Sequence, residues 1–575
     1  MHMQELRTTC ESKQCMALPE CPTQVIATGL AMDRVPPFWS ERDGLSFMFK
    51  KLLGPHWRLP CHSTVNRHQQ DLLQSLRGRV SDLVRATCNQ NPGYGILTVS
   101  HDLWQAPDNL HYQCQILHFI DADLVRRRIL YYVDKLGVQK TSANQATRIK
   151  AVWNERGWDH KQMAVCISDC TASARNVAAD MGVQGALCGA HITALEPRRQ
   201  VFKVPRQTDG VQTLQVHEDA LPEVVEHMEA VRARAKLYRF TEAKRQEMDN
   251  VQKFLADTKP KRVLIDSSAK WSSTVEMLER EFTLRAAYLE LKARHPSCRE
   301  LPASLDTFTA SRDIAGVLRP FQLCTNLLQG GAACASVVLP CFKALESQLQ
   351  AAEPVYVQAD TAPTLKPLQE EHLHTLARAL RDRLRSQLAK ENQHLEWQRP
   401  VLLKCTLLDP RFRLRNGTVQ EREGTVSALY DEGARLLSAE RPEEAPIAQA
   451  VSPRRQMKRS FLAMMDGEPT VDAADESSLR RQERQALKRQ LSSYMHGANI
   501  EKDADPLEWW REHRHEFHHM LPLVKKYLAV PASTADAERI FSLAKAFLAD
   551  NRQRAEAMSD ALELSLGLSL LDLQL

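Results

Sequence analysis

The chain has 575 residues and a formal net charge of only +5. It is long enough for about two to four domains, and it carries no global field of the kind that announces nucleic acid, so any DNA contact has to be local. No run of about 18 apolar residues occurs, which excludes a membrane-spanning helix, and the 14 cysteines follow no regular framework, as expected of reduced thiols in the cytosol or nucleus.

The first residues, Met1 to Leu6, lack an apolar h-region, so secretion is not expected. Cys10, Cys15 and Cys21 are irregularly spaced, and His56, Cys61, His62 and His68 lie far from them. That is poor spacing for a tetrahedral site, and zinc is not expected in this chain. Ser63 to Thr87 reads as a helix on which Arg67, Arg77, Arg79 and Arg85 recur. Two readings stay open there, a phosphate-facing helix or an ordinary solvated face.

Gly95 to Trp104, Tyr112 to Ile120 and Ile129 to Val133 read as three strands separated by charged or polar turns. Thr141 to Arg156 has a capping start and helical spacing at Ala146, Ile149, Val152 and Trp153. Met163 to Asp169 is an apolar strand ending on a carboxylate, and a helix follows from about Ala174 to Met181. Three strands, a helix, a strand and a helix is the order of an RNase H-like fold. In that fold the first and fourth strands are neighbours, which would bring Asp102 and Asp169 together at adjacent strand ends. Joined by a third carboxylate, such a pair can hold two Mg²⁺ ions about 3.5–4 Å apart for phosphodiester chemistry. Two aspartates at strand ends also serve as turn formers.

From Leu221 to about Leu388 the periodicity is helical. Within it, Asp266 to Arg280 forms a helix start in which Trp271 could stack on an exposed base or sit buried beside a capped helix. Residues from about Asn416 to Asn499 are mixed in charge and poor in large apolar side chains at their centre, as in a surface linker. Inside it, Pro453 to Arg459 has four basic residues in seven, a composition shared by nuclear import signals and solvated linkers. His515 to His519 formally matches H-E-x-x-H, but it lies in a polar, histidine-dense segment read as a connecting helix. No third ligand follows at zincin spacing, and a metalloprotease is rejected. Tyr527 to Val530 is an apolar run halted by Pro531. Ser533 and Thr534 then offer cap hydroxyls to a helix with Ile540, Leu543, Ala544, Phe547 and Leu548 on one face, and Glu538 in its first turns. Met558, Leu562, Leu566, Leu570 and Leu573 form a further stripe, read as core or dimer surface.

The segment from Lys526 to Ser542, with Asp503 to Trp510 before it and Asn551 to Arg554 after it, resembles the C-terminal dimerisation region of hAT-family transposases and their BED-finger-containing descendants. Asp102-Leu103-Trp104 is similar to the first catalytic block of that family, Asp169 resembles the second, and Cys188 to His191 resembles its Cys-x-x-His element. Glu538 falls on the third carboxylate. Asp169 is followed by a stretch about three residues longer than in relatives, and in the shorter register Ala172 takes its place. Lys270-Trp271 resembles the family's Arg-Trp helix start, with Lys270 keeping the charge but not the planar fork. Leu318 to Phe321, Val337 to Pro340 and Leu407 to Phe412 continue the pattern in order.

The resemblance implies an α/β plus α protein, an RNase H-like core split by a large all-helical insertion with a helical N-terminal region. The expected divisions are 1–94 (N-terminal region), 95–200 (first part of the core), 201–413 (insertion), 414–500 (linker) and 501–575 (end of the core and dimerisation region). The expected sites are Asp102, Asp169 and Glu538 for catalysis on Mg²⁺, and Trp104, Lys270 and Trp271 for DNA. Pro531, Ile540, Phe541, Leu562 and Leu566 are expected to serve self-association. Expected partners are a second copy and DNA, with no membrane, in the nucleus. The leading expectation is a domesticated, dimeric DNA-binding regulator. An active transposase and a dimeric scaffold without DNA affinity are the alternatives.

Overall fold

The computed structural model describes residues 47, 51, 60–89, 95–105, 111–136, 140–208, 211–256, 259–268, 270–350, 355–359, 362–368, 373–438, 472–551, 560 and 563. The chain divides into two compact units, one built from Met1–Ala186 with Leu403–Leu575 and the other from Leu187–Leu402.

The first unit is organised by a five-stranded mixed sheet. Its strands are β1 (Leu97–Gln105), β2 (His111–Ile120), β3 (Arg126–Lys135), β4 (Met163–Ser168) and β5 (Gln184–Leu187), in the order β3-β2-β1-β4-β5. β1 pairs antiparallel with β2 and parallel with β4. β4 is buried along its whole length, the pattern of a strand covered on both faces. On one face lie α1 (His62–Asn89), α2 (Ser142–Glu155) and α3 (Ala172–Met181). There Leu73, Leu76, Val80 and Val84 of α1 join Leu97, Val99, Leu117 and Phe119 of the sheet and Ile149, Trp153 and Val177 of the other two helices in one core. Thr141 caps α2 by accepting the Asn144 N–H. A register shift between Gln115 and Ile116 of β2 interrupts the pairing opposite β3, and Tyr131 and Tyr132 both enter this same core, as a bulged strand allows.

The opposite face is closed by the end of the chain. Tyr112, Cys114, Ile116, Leu130 and Val133 pack against Ala537, Ile540, Phe541 and Ala544, which belong to the final long helix Ala535–Asn551. Period two on β2 and a helical stripe on that helix thus meet as complementary faces. The segment expected to be a linker contains helices Val419–Ser438 and Asp472–His496. Leu429, Leu487, Leu491 and Tyr494 on them are buried, so these turns carry core residues that the low average hydrophobicity concealed. The basic stretch 453–459 lies outside the described residues. Residues 513–517 form turns rather than the expected connecting helix, with His513 stacked on Trp509 at 4.0 Å between ring centroids.

The second unit is mostly helical. In chain order it contains α4 (Gly189–Val201), α5 (Pro222–Phe240), α6 (Glu242–Ala256), α7 (Ser273–Thr283), α8 (Arg285–Arg294), α9 (Asp306–Leu328) and α10 (Val338–Gln350). α11 (Thr375–Leu408) then leads the chain back to the first unit, where α12 (Val419–Ser438), α13 (Asp472–His496), α14 (Pro506–Glu512), α15 (Leu521–Leu528) and α16 (Ala535–Asn551) follow. The expectation of an all-helical insertion is corrected by two antiparallel ribbons, Val204–Thr208 with Val211–Gln215 and Val355–Ala359 with Ala362–Leu368. Strands this short leave too little periodicity to separate them from loops. The core of this unit joins Tyr238, Met248, Val251, Tyr288, Leu291 and Phe308. Arg234 donates from Nε to buried Glu281 at 2.8 Å, and Ser311 donates to the other oxygen of the same carboxylate at 2.6 Å.

Candidate functional site at the ends of β1 and β4

The last register pair between β1 and β4 is Ser100 with Ile167. Two residues further along stand Asp102, inside β1, and Asp169, one residue past the end of β4, so the register places the two carboxylates side by side. Asp102 is 8 % exposed and accepts the Leu103 N–H at 2.8 Å. Asp169 accepts both the N–H of Thr171 at 3.0 Å and its hydroxyl at 2.8 Å. Thr171 in turn caps α3. Ala172, the alternative in the shorter register, is the first residue of α3, so Asp169 is the one at the strand end.

Asp102 lies opposite Cys114, on the face of the sheet that α16 covers. Along α16 the buried stripe is Ala537, Ile540, Phe541 and Ala544. At about 100° per residue, Asp536 and Glu538 fall on opposite flanks of it. Asp536 pairs with Arg128 of β3 at 3.2 Å, which turns Glu538 toward the β1 side. Among the described residues, Asp102, Asp169 and Glu538 are not drawn into one ligand group.

Sequence reasoning missed the polar residues that surround these carboxylates. Ser100 and His118 meet at 2.9 Å between Oγ and Nε2, both buried. Burial pulls the His118 imidazole down to about 4, opposed by the charge of Asp536. On the other face His101 meets Gln113 at 2.8 Å, and burial likewise holds it at about 4 against the pull of Asp169. Burial pushes the Cys114 thiol well above its usual value, and the charges of Asp102 and Asp536 add to that. The face that α16 covers therefore holds one neutral imidazole, His118, and a protonated thiol, Cys114, while the neutral His101 lies on the other face. Asp536 lay in view two residues before Glu538, but its partner Arg128 is 408 positions away.

The remaining expected residues divide by position. Trp104 is half-buried and stacked on Phe541 of α16, with ring centroids 5.7 Å apart and an interplanar angle of 26°. Lys270 is exposed, whereas Trp271 is 5 % exposed. The base-stacking reading of Trp271 is thereby corrected, because its ring is enclosed beside the start of α7. That start is tied down by Asp266, which takes a fork from Arg232 at 2.9 and 2.7 Å and the Thr274 hydroxyl at 2.8 Å. Cys188 is buried at the N-cap position of α4 and His191 is half-buried in its first turn. Both follow directly on β5, at the start of the second unit.

Pro531 is half-buried between α15 and α16. Ile540 and Phe541 are 5 % and 6 % exposed and pack on the chain's own sheet. Leu562 and Leu566 lie outside the described residues. On α1, Arg77 is not on a freely solvated face but pairs with Asp560 at 2.9 Å and Glu563 at 2.7 Å.

Two segments match known families. Residues 487–563 match the hAT family C-terminal dimerisation region, a span that starts within α13, earlier than the expected boundary at 501, and includes α14 to α16. Residues 212–315 match the ZBED1 RNase-like helical domain and cover α5 to α8 with the first part of α9. No curated protein matches the chain significantly. These two matches, standing in order along the chain, support a hAT-derived, ZBED-like protein with a hAT dimerisation region.

Proposed function

We propose that this is a nuclear, domesticated relative of the hAT transposases that dimerises through its C-terminal region and binds DNA as a transcriptional or architectural factor. The α/β unit is read as an RNase H-like core interrupted by the helical unit. The observation that carries this reading is the hAT dimerisation region lying folded on the sheet, with α16 closing the face that bears Asp102. The strand order and the parallel pairing of β1 with β4 agree with it. Asp102 and Asp169 are engaged in local backbone and cap bonds, the duties that such residues keep in a protein whose sheet serves binding.

The parallel register that brings Asp102 beside Asp169 supports a second reading, an active transposase. Three carboxylates are hard oxygen donors of the kind that suits Mg²⁺. Asp102, Asp169 and Glu538 would hold it, and the ion would supply Lewis-acid stabilisation of a phosphodiester. On that reading the chain's part is to hold Asp102 at a nearly dry position within β1 and to fix Asp169 through Thr171.

One experiment separates the two. Full-length protein is incubated with supercoiled plasmid and Mg²⁺, beside Asp102→Asn, Asp169→Asn and Glu538→Gln, and duplex DNA binding is measured on the same four samples. The proposed function expects DNA binding in all four and nicking in none. Nicking by the wild type that disappears in all three variants establishes the transposase instead. Absence of DNA binding with a folded dimer leaves a scaffold.

A further inference from the structure

Glu563 is one of the most thoroughly held carboxylates in the first unit. It is 5 % exposed. Arg77 of α1 donates to it from Nε at 3.1 Å and from a terminal nitrogen at 2.7 Å. Arg156, just past α2, donates from both terminal nitrogens at 3.1 Å each. Two guanidinium forks therefore close on a single anion, and Asp560 adds a bond to Arg77 at 2.9 Å. The arginines come from parts of the chain more than 400 positions earlier.

We propose that the Arg77–Arg156 pair is a receptor for a backbone phosphate of nucleic acid, and that Glu563 of the chain's own C-terminal segment sits there in the phosphate's place. The inference rests on the DNA-binding reading above. A guanidinium fork matches the oxygens of a carboxylate and of a phosphate equally well. The receptor is built without Glu563, because Arg156 lies over the Tyr131 ring at 4.5 Å, and Tyr131 is itself stacked on Trp158 at 5.2 Å. Beside the forks opens a cavity of about 550 Å³ lined by Arg77, Arg148, Arg156, Glu155, Tyr131 and Trp158. With Glu563 and Asp560 in place, the charges there are matched. Once they leave, three guanidinium groups face the single carboxylate Glu155, which pairs with Arg148 at 3.3 Å. Glu563 is also the last residue of the dimerisation region. Rearrangement of that region on self-association would thus be linked to uncovering an anion site.

The test uses the full chain and its Glu563→Gln variant, which removes the charge and keeps the shape, with near-UV circular dichroism to verify folding. Asp560→Asn, at a partly exposed position, serves as a milder second variant. Anisotropy titrations with a labelled duplex of about 30 base pairs are run at several salt concentrations, and calorimetry is run with inorganic pyrophosphate. Glu563→Gln is expected to bind duplex about tenfold more tightly, with a salt slope steeper by about one for the added phosphate contact. It should also bind pyrophosphate, Asp560→Asn should shift the same way by less, and adding Arg156→Gln should reverse the gain. Wild-type DNA binding that neither tightens nor steepens in Glu563→Gln overturns the inference and leaves the DNA-binding reading standing. Pyrophosphate uptake through Arg156 without any duplex binding overturns the nucleic-acid assignment along with that reading, and uptake of neither overturns the site itself.

Discussion

Phe541 decides between two accounts of the same apolar stripe. It is 6 % exposed, packs with Cys114, Ile116 and Leu130 of the sheet, and stacks on Trp104. Replacing a buried phenyl ring by a methyl group costs about 3 to 5 kcal/mol, of which an aromatic pair accounts for about 0.5 to 1.5. With a urea dependence of about 3 kcal/mol per molar, Phe541→Ala should lower the midpoint of the first unit by about 1 to 1.7 M. The two units are expected to unfold separately, so the assay is hydrogen exchange by mass spectrometry along a urea series, comparing peptides from β2 with peptides from α9. The β2 peptides should lose protection early while the α9 peptides keep their midpoint. Light scattering on the same samples reports self-association. A dimer that dissociates while the β2 midpoint stays put would refute the reasoning, because Phe541 would then meet a second copy rather than its own sheet.

The buried imidazoles impose a pH dependence. The folded value for His118 is about 4 against 6.5 in its ordinary state, so between those values the unfolded chain binds a proton that the folded chain refuses. Its contribution is therefore present above pH 6.5 and lost as pH falls toward 4, by about 2 kcal/mol at pH 5 for this one residue. Denaturation midpoints at pH 7.5 and 5.0 should differ accordingly, and His118→Gln should shrink the difference; an equal loss in the variant removes His118 as its source. Glu432 accepts from Lys404 at 2.7 Å, from Lys526 at 2.7 Å and from the Tyr527 hydroxyl at 2.7 Å. Glu432→Ala leaves two ammonium groups in a largely buried place and should cost about 3 to 5 kcal/mol. A loss under about 1 kcal/mol in urea denaturation would show that water enters and screens them.

Much of the sheet was legible because its signals are local. Alternation marks β2, the apolar run marks β4, and the Thr141 cap marks α2, all within a few residues of one another. The neighbouring placement of Asp102 and Asp169 followed from the order of elements. What could not be read was the identity of each partner. The stripe through Ile540 and Phe541 announces burial without saying whether the covering surface belongs to this chain or to a copy. Arg77 looks like any basic helical residue until Glu563, 486 positions later, is folded against it. Trp271 was open between stacking and burial for the same reason. The short ribbons and the four-residue β5 are below the length at which periodicity speaks.

The first unit takes its sheet from the beginning of the chain and the cover of that sheet from the end. Arg126 on β3 and Leu528 at the close of α15, which meet at 2.9 Å, are 402 positions apart. A ribosome adding about 5 to 20 residues per second needs about 20 to 80 s to cross such a distance. Throughout that interval Tyr112, Cys114, Ile116 and Leu130 have been made and the helix that hides them has not. An uncovered apolar sheet face is a binding site for chaperones and an aggregation hazard. A message that stops translation anywhere within the helical unit would therefore yield a product with a sticky sheet rather than a smaller working domain.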